Sequence, residues 1–465
     1  MSAKNILLVA YQCGPAMGSV SQIGWEWYSR LSGHSSVASV TLVTHVRNRP
    51  ALQAAGAPLP GSEVIYIDTE WFAGPLYRLA RRIFPQSEHS VFLVSSLDYF
   101  VFDFSAWRQL KRCLFKTAQL GGEGYGVLHR VTPVTLAAPT WLGRLGLPTV
   151  IGPLNSGLTD PRGFGAIMKQ ESTWLIRVRG LTRWLDAAIG SSRRAARILT
   201  ASRATLNGVA SRHHSRCQPM LENGVELKRF HATPWPAPPS AEWPLRVLFT
   251  GRLVPIKGLD MLLAALRRLA QEGVAVELDV VGDGPMRATW QTMSEAFGLA
   301  GHVRFHGALS LDEVASQMQA CHVFCLPSVR ESGGAVLLEA MACARPVIGL
   351  NFGGPGEIID AEVGSKIEMQ SPEQVTADLA AELKAVIANP AAWRLRGLAG
   401  RRRVEAQFSW DAKIAAALEI YDAVIQERAE KNTQNPTEEM TDKATEKVTN
   451  KATAQPAKKG AEACL

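Results

Sequence analysis

Pro327–Gly349, PSVRESGGAVLLEAMACARPVIG, sets two glutamates, Glu331 and Glu339, on either side of a glycine pair that opens an apolar helix. The preceding residues Cys321–Pro327 (CHVFCLP) read as a short buried strand. Ala335–Ala344 has helical spacing, with Val336, Leu337, Ala340 and Met341 on the apolar stripe and Glu339 off it. The turn between them is Glu331-Ser332-Gly333-Gly334. Glycines there let the backbone approach a ligand closely. The first helix amides lack intrahelical partners and sit at the positive end of the helix dipole, so they can hold phosphate oxygens. The carboxylates of Glu331 and Glu339 could then accept hydrogen bonds from hydroxyls at opposite ends of one ligand. Taken alone, the glutamates also fit a solvated helix face and the glycines an ordinary chain reversal, the commoner case for short motifs.

About eighty residues upstream, Leu245–Ala265 reads LRVLFTGRLVPIKGLDMLLAA. Arg246–Thr250 is a β-rich run closed by Gly251, and Leu259–Leu269 has helical spacing. Arg252 and Lys257 fall in the loop between them, where a parallel α/β sheet places its ligands. A nucleoside diphosphate gathers negative charge as its sugar departs, and two fixed cations with helix amides would stabilise that charge most in the transition state. Together these parts suggest glycosyl transfer.

The segments GRLVPIKG, VGDGP (Val281–Pro285), HGALS (His306–Ser310) and Pro327–Gly349, in this order and spacing, resemble the donor domain of retaining glycosyltransferases of family 4, which have the GT-B fold. The resemblance extends over about residues 1–425, and two glutamates with seven residues between them are the family's signature. It implies that Arg252 and Lys257 hold the donor diphosphate near Gly251 and Gly282, and that Glu339 binds the ribose hydroxyls. It further implies that Glu331, with the amides of Gly333, Gly334, Ala335 and Val336, holds the donor sugar and the distal phosphate.

The front half is similar to the same family. Asn5–Ala10 is a first strand, and Tyr11–Trp27, YQCGPAMGSVSQIGWEW, is a loop that enters a helix. It resembles the glycine-rich loop of transferases that build bacterial surface polysaccharides, with backbone amides at Gly18 and Ser19 able to face the cleft. That subgroup usually carries an acidic residue after Gly-Ser, and here the position is Val20. His129, in Val127–Thr132, matches a cleft histidine that touches the donor sugar in the family, whereas a lone histidine is more often structural. Asn223-Gly224-Val225 and Phe230 match the family's segment at the end of the first domain, and Ala344 stands where a glycine is common before Arg-Pro.

A chain of 465 residues is long for one domain. Alternating strands and helices indicate α/β architecture, with two Rossmann-like doubly wound domains facing a cleft. The expected division is an acceptor-side domain over 1–232, a Pro-rich linker over 233–244, a donor-binding domain over 245–408, and a helix over 409–430 returning to the first domain. Residues 431–465 are rich in Lys, Thr, Glu and Ala with almost no large apolar side chains, a composition that reads as a disordered tail.

The formal charge of +8 is concentrated, with eleven Arg or Lys against two Asp or Glu between Arg162 and Arg216. Within that stretch Ser172–Gly190 projects Trp174, Val178, Leu181, Trp184, Leu185 and Ala188 onto one helical face, with Arg179, Arg183 and Asp186 opposite and Arg177 the exception near the apolar edge. A second basic and aromatic tract includes Trp71, Phe72, Tyr77, Arg78, Arg81, Arg82, Trp107, Arg108, Lys111 and Arg112. Such helices suit an anionic membrane surface or, equally, ordinary packing on a sheet with a solvated basic face. The expected partners are a nucleotide-sugar donor and a saccharide or lipid-linked saccharide acceptor, with peripheral contact to the inner face of the cytoplasmic membrane and no nucleic acid.

No stretch is apolar for long enough to span a bilayer, and the apolar run near Met1 is the first strand rather than an export signal. Seven scattered cysteines fit a reduced cytoplasm. Cys321 and Cys325 flank His322 without a second ligand pair and read as structural. No Asp-any-Asp triplet occurs, so no metal or other cofactor is expected, the nucleotide sugar being a co-substrate and the fixed cations supplying the positive field. A GT-B enzyme with a soluble acceptor, a disaccharide phosphorylase, and a silent sugar-nucleotide-binding subunit are the alternatives.

Overall fold

The computed structural model describes residues 4–15, 17–83, 88–119, 124–170, 179–240 and 242–434. Among the described residues, strands β1 (Lys4–Ala10), β2 (Val37–His45), β3 (Ser62–Ile67), β4 (Val127–Thr132), β5 (Thr149–Leu154), β6 (Arg197–Thr200) and β7 (Cys217–Pro219) form one sheet in the order β3-β2-β1-β4-β5-β6-β7. Strands β8 (Leu245–Thr250), β9 (Val276–Val281), β10 (Val303–Gly307), β11 (Val323–Leu326), β12 (Val347–Leu350) and β13 (Gly364–Ile367) form a second, in the order β10-β9-β8-β11-β12-β13. Neighbouring strands within both sheets run parallel. Helices cover both faces, so the central strands are apolar almost without alternation: every residue of β4, β5, β11 and β12 is buried.

Each sheet reverses its strand order once, between β1 and β4 in the first and between β8 and β11 in the second. Loops at the carboxyl ends of strands flanking such a reversal diverge and leave a crevice. The loops after β1, β8 and β11 are those singled out in the sequence. Glycines let the strand ends of the second sheet crowd together, since a Cβ on Gly282 would collide with the Gly251 carbonyl.

The helix Leu259–Gln271 buries Leu259, Leu262, Leu263, Leu266 and Leu269 against the sheet, and Arg267 and Arg268 stay outside. The helix expected over Ala335–Ala344 ends at Ala342. Arg345 N donates back to Ala340 O at 3.0 Å, which puts Ala344 in the left-handed region at φ +58°. Ala344 therefore adopts the backbone conformation that glycine takes without steric cost.

The chain passes between the sheets at two places that hydrogen-bond to each other. Val225 N donates to Phe408 O at 2.9 Å, and Trp410 N to Val225 O at 3.2 Å. The helix Trp410–Gln434 then lies on the first lobe, burying Trp410, Ile414, Ala417, Leu418, Tyr421 and Val424 with Ile23, Trp27 and Tyr28. In the other direction, Phe164 and Met168 leave the first lobe after β5 and join the core of the second.

Of the basic amphipathic stretch 172–190, residues 171–178 lie outside the described residues, and a helix runs over Arg179–Ile189. Of the tail, 435–465 lie outside them, while the final helix continues to Gln434. No helix among the described residues is long and apolar enough to cross a membrane.

Candidate functional site

Two loops of the second lobe are bound together at the strand-order reversal. Val329 N, after β11, donates to Ile256 O, after β8, at 2.8 Å. Gly258 has φ +64°, and a Cβ there would collide with the Pro327 carbonyl. This junction carries Lys257 to the Glu331 turn, where its Nζ forms an ion pair with Glu331 Oε2. The other oxygen, Oε1, accepts from Gly334 N at 3.3 Å, and the Glu331 carbonyl accepts from Gly354 N at 3.0 Å. Glu331 is therefore held by both its backbone and its side chain.

Gly334, left-handed at φ +63°, begins the helix Ala335–Ala342 with no side chain capping it. The amides of Ala335 and Val336 thus open toward the turn that holds Glu331 and Lys257, an anion-binding geometry with a cation beside it. Gly251 ends β8, and its loop is pinned by Leu253 N donating to Asp283 O at 2.9 Å. Arg252 sits on the exposed side of that loop. Glu339 stands further along the helix, half-buried, and burial pushes its carboxyl up to about 7 although the nearby Arg229 charge pulls it down.

The first lobe contributes the loop after β1. Gly18 has φ +104° and open space around it, and it begins the helix Ser19–Ser32 without a side-chain cap. Tyr11, at the loop's start, donates to the buried Asp98 at 2.7 Å, and its carbonyl accepts from Asn48 Nδ2 at 2.8 Å.

His129 is a correction. It is wholly buried in β4 rather than in the cleft, with Nε2 hydrogen-bonded to Gly152 O at 2.7 Å and Nδ1 to the Tyr421 hydroxyl at 2.6 Å. Burial lowers its pKa to about 3, so it stays neutral, and its ring packs edge-on against Trp27. It joins the final helix to the first sheet and has no nitrogen to offer a sugar.

The sequence reading passed over a polar cluster at the back of the cleft. Glu222, 5% exposed, lies against Gly333 of the other lobe and accepts from Asn155 Nδ2 at 2.5 Å. Lys413, 2% exposed, donates to Leu221 O, and burial lowers its ammonium to about 7. The only signal for Glu222 was its place beside Asn223-Gly224-Val225. Among the described residues, no group of three or more His, Cys, Asp or Glu side chains could hold a metal ion.

Residues 237–394 match the family model for glycosyl transferases group 1. The chain is 36% identical over 224 residues to the GDP-mannose-dependent alpha-(1-6)-phosphatidylinositol monomannoside mannosyltransferase of Mycobacterium tuberculosis, covering 44% of this chain and 56% of that protein. It is 30% identical over 216 residues to glycogen synthase of the same organism, covering 46% of this chain and 50% of that protein. Sucrose-phosphate synthase of Thermosynechococcus elongatus superposes with a TM-score of 0.56 at 21% identity, covering 91% of this chain and 99% of that one, a likeness of fold. The chain spans about half the length of the curated relatives it matches. Two parallel Rossmann-like sheets facing a cleft, joined by a returning C-terminal helix, define the GT-B fold. Within that class, residues 237–394 are similar to the group 1 glycosyltransferases, also called family 4.

Proposed function

We propose that this protein is a retaining glycosyltransferase that moves a sugar from a nucleotide-sugar donor to a growing, lipid-linked glycan of the exopolysaccharide or capsule type. The observation that carries the reading is the pairing of Lys257 with Glu331 beside the Ala335 and Val336 amides. A diphosphate placed there meets Lys257, Arg252 and the helix amides together, and Glu331 stays within reach of the sugar. The bond between the anomeric carbon and the diphosphate oxygen breaks, and the acceptor hydroxyl attacks from the face the diphosphate leaves. A phosphate oxygen takes its proton. Lys257, Arg252 and the amides stabilise the growing charge, and Glu331 positions the sugar without carrying a proton.

Glu339 is the ribose contact in this reading. An ionised carboxylate accepts hydroxyl hydrogen bonds better than a neutral one, so binding favours ionisation and affinity increases with pH. With the carboxyl at about 7, the Kd of a nucleotide sugar falls roughly tenfold from pH 6 to pH 8, where the donor's own diphosphate does not titrate. Calorimetry at the two pH values checks this, with Glu339→Gln expected to flatten the dependence. A flat wild-type profile takes Glu339 out of the binding site.

The lipid-linked acceptor is supported by the helices Glu70–Ile83 and Glu88–Gln119 of the first lobe. They leave Trp71, Leu79, Phe104 and Phe115 exposed among Arg78, Arg82, Arg108, Lys111 and Arg112. Aromatic and basic side chains together suit an anionic membrane surface.

A thermal-shift screen of UDP- and GDP-sugars tests the donor, since a ligand that binds only the folded state raises Tm. Sedimentation with anionic liposomes at low salt tests the membrane contact. No shift with any of these sugars removes the donor reading, and no sedimentation removes the membrane.

A further inference from the structure

Glu222 sits in the first lobe, just before the crossing at Val225, and faces the other lobe. A Cβ on Gly333 would collide with its carboxylate, so the side chain touches the turn that follows Glu331. Its Oε1 is occupied, accepting from Asn155 Nδ2 at 2.5 Å and Asn223 Nδ2 at 3.3 Å. Its Oε2 is buried with no hydrogen-bond partner, and so is Asn155 Oδ1.

Native proteins pair nearly all their buried polar atoms, so two neighbouring buried acceptors without donors call for an explanation. Turning the Asn155 amide over does not provide one, because its oxygen would then face Glu222 Oε1, acceptor against acceptor. Burial raises the Glu222 carboxyl and the Glu331 charge adds to it, against the pull of the Asn155 hydrogen bond and of Lys413, and two orphaned acceptors call for a donor rather than an anion. A sugar hydroxyl fits, since each brings one donor and can also accept. Gly333 and Glu222 belong to opposite lobes, so opening the lobes uncovers the acceptors and closing them presses the pair onto whatever the 331–334 turn holds.

We propose that Glu222 and Asn155 form a hydroxyl-reading subsite for the transferred sugar, closing on it from the first lobe as Glu331 and the helix amides hold it from the second. This rests on the donor reading above. The subsite discriminates among sugars and leaves the nucleotide alone, because it lies on the Gly333 side of the turn and not along the helix toward Glu339.

Calorimetry on the full chain tests it, with wild type, Glu222→Gln and Asn155→Ala each titrated with UDP, GDP, UDP-glucose, UDP-galactose, UDP-N-acetylglucosamine and GDP-mannose. For the nucleotide sugar that wild type binds, each variant is expected to raise Kd at least tenfold while changing Kd for the parent nucleoside diphosphate less than twofold. Equal weakening of both ligands, or no weakening of either, overturns the subsite and leaves the donor reading standing. Wild type that binds none of the six overturns the donor reading and the subsite with it. Glu222→Gln keeps the shape and the Asn155 contact, and Asn155→Ala reaches the same subsite from a different strand end, so failure of one variant to fold leaves the other decisive.

Discussion

Replacing Lys257 with alanine is expected to lower turnover of the nucleotide sugar by about 10²- to 10³-fold, the usual loss when one preorganised group facing developing charge is removed, about 2.7–4 kcal/mol. The ammonium is positioned by two backbone features, the Val329-to-Ile256 hydrogen bond and the close approach of Gly258 to Pro327, and by its pairing with Glu331. A lysine held in this way needs little reorganisation when the diphosphate departs. The fold should tolerate the change, because Lys257 and Glu331 are both partly exposed and Glu331 keeps its contact with Gly334 N. Turnover and a thermal melt measured on the same preparation separate the two effects, and turnover within threefold of wild type would remove Lys257 from the chemistry.

The second large effect concerns the fold. A chain ending after Ser409 should not give a folded first lobe. The lost helix buries Trp410, Ile414, Leu418, Tyr421 and Val424. At about 1.5–3 kcal/mol for each large side chain, the loss is roughly 10 kcal/mol, comparable with the whole stability of a typical domain. Two polar groups are stranded as well, since His129 Nδ1 loses the Tyr421 hydroxyl and the Leu221 carbonyl loses Lys413. Circular dichroism of the truncated chain should show no cooperative transition for the first lobe. A soluble truncated protein melting within a few degrees of the full chain would mean that the helix is an accessory.

The second lobe was the more legible half of the sequence because its signals are local. A strand, a glycine turn and a helix occupy consecutive residues in Cys321–Ala342, and Leu245–Gln271 repeats the arrangement. The contact between Lys257 and Glu331 spans 74 residues and was reachable only through topology, since β8 and β11 are neighbours at the strand-order reversal. His129 was misread for a physical reason. All six residues of β4 are buried because helices cover both faces of the sheet, so no alternation in the sequence indicates which way a side chain points. Its decisive partner, Tyr421, is 292 residues away. Glu222 was missed for a similar reason: Asn155, Gly333 and Lys413 come from three distant segments, and an isolated glutamate in a sequence carries no mark of burial. Ala344 shows the limit of reading composition. An alanine by itself gives no hint of a left-handed backbone; the hint lay in the glycine common at this position in the similar family, and the conformation follows from the way Arg345 N closes the helix end.

The central claim is that Lys257, Arg252 and the amides at the start of the Ala335–Ala342 helix hold the diphosphate of an activated sugar. A crystal structure with the nucleotide sugar selected by thermal shift tests it most directly. The diphosphate is predicted within hydrogen-bonding distance of Lys257 Nζ, the Arg252 guanidinium and the Ala335 or Val336 amide, with the ribose at Glu339. A diphosphate bound elsewhere, with Lys257 still engaged only by Glu331, would contradict it.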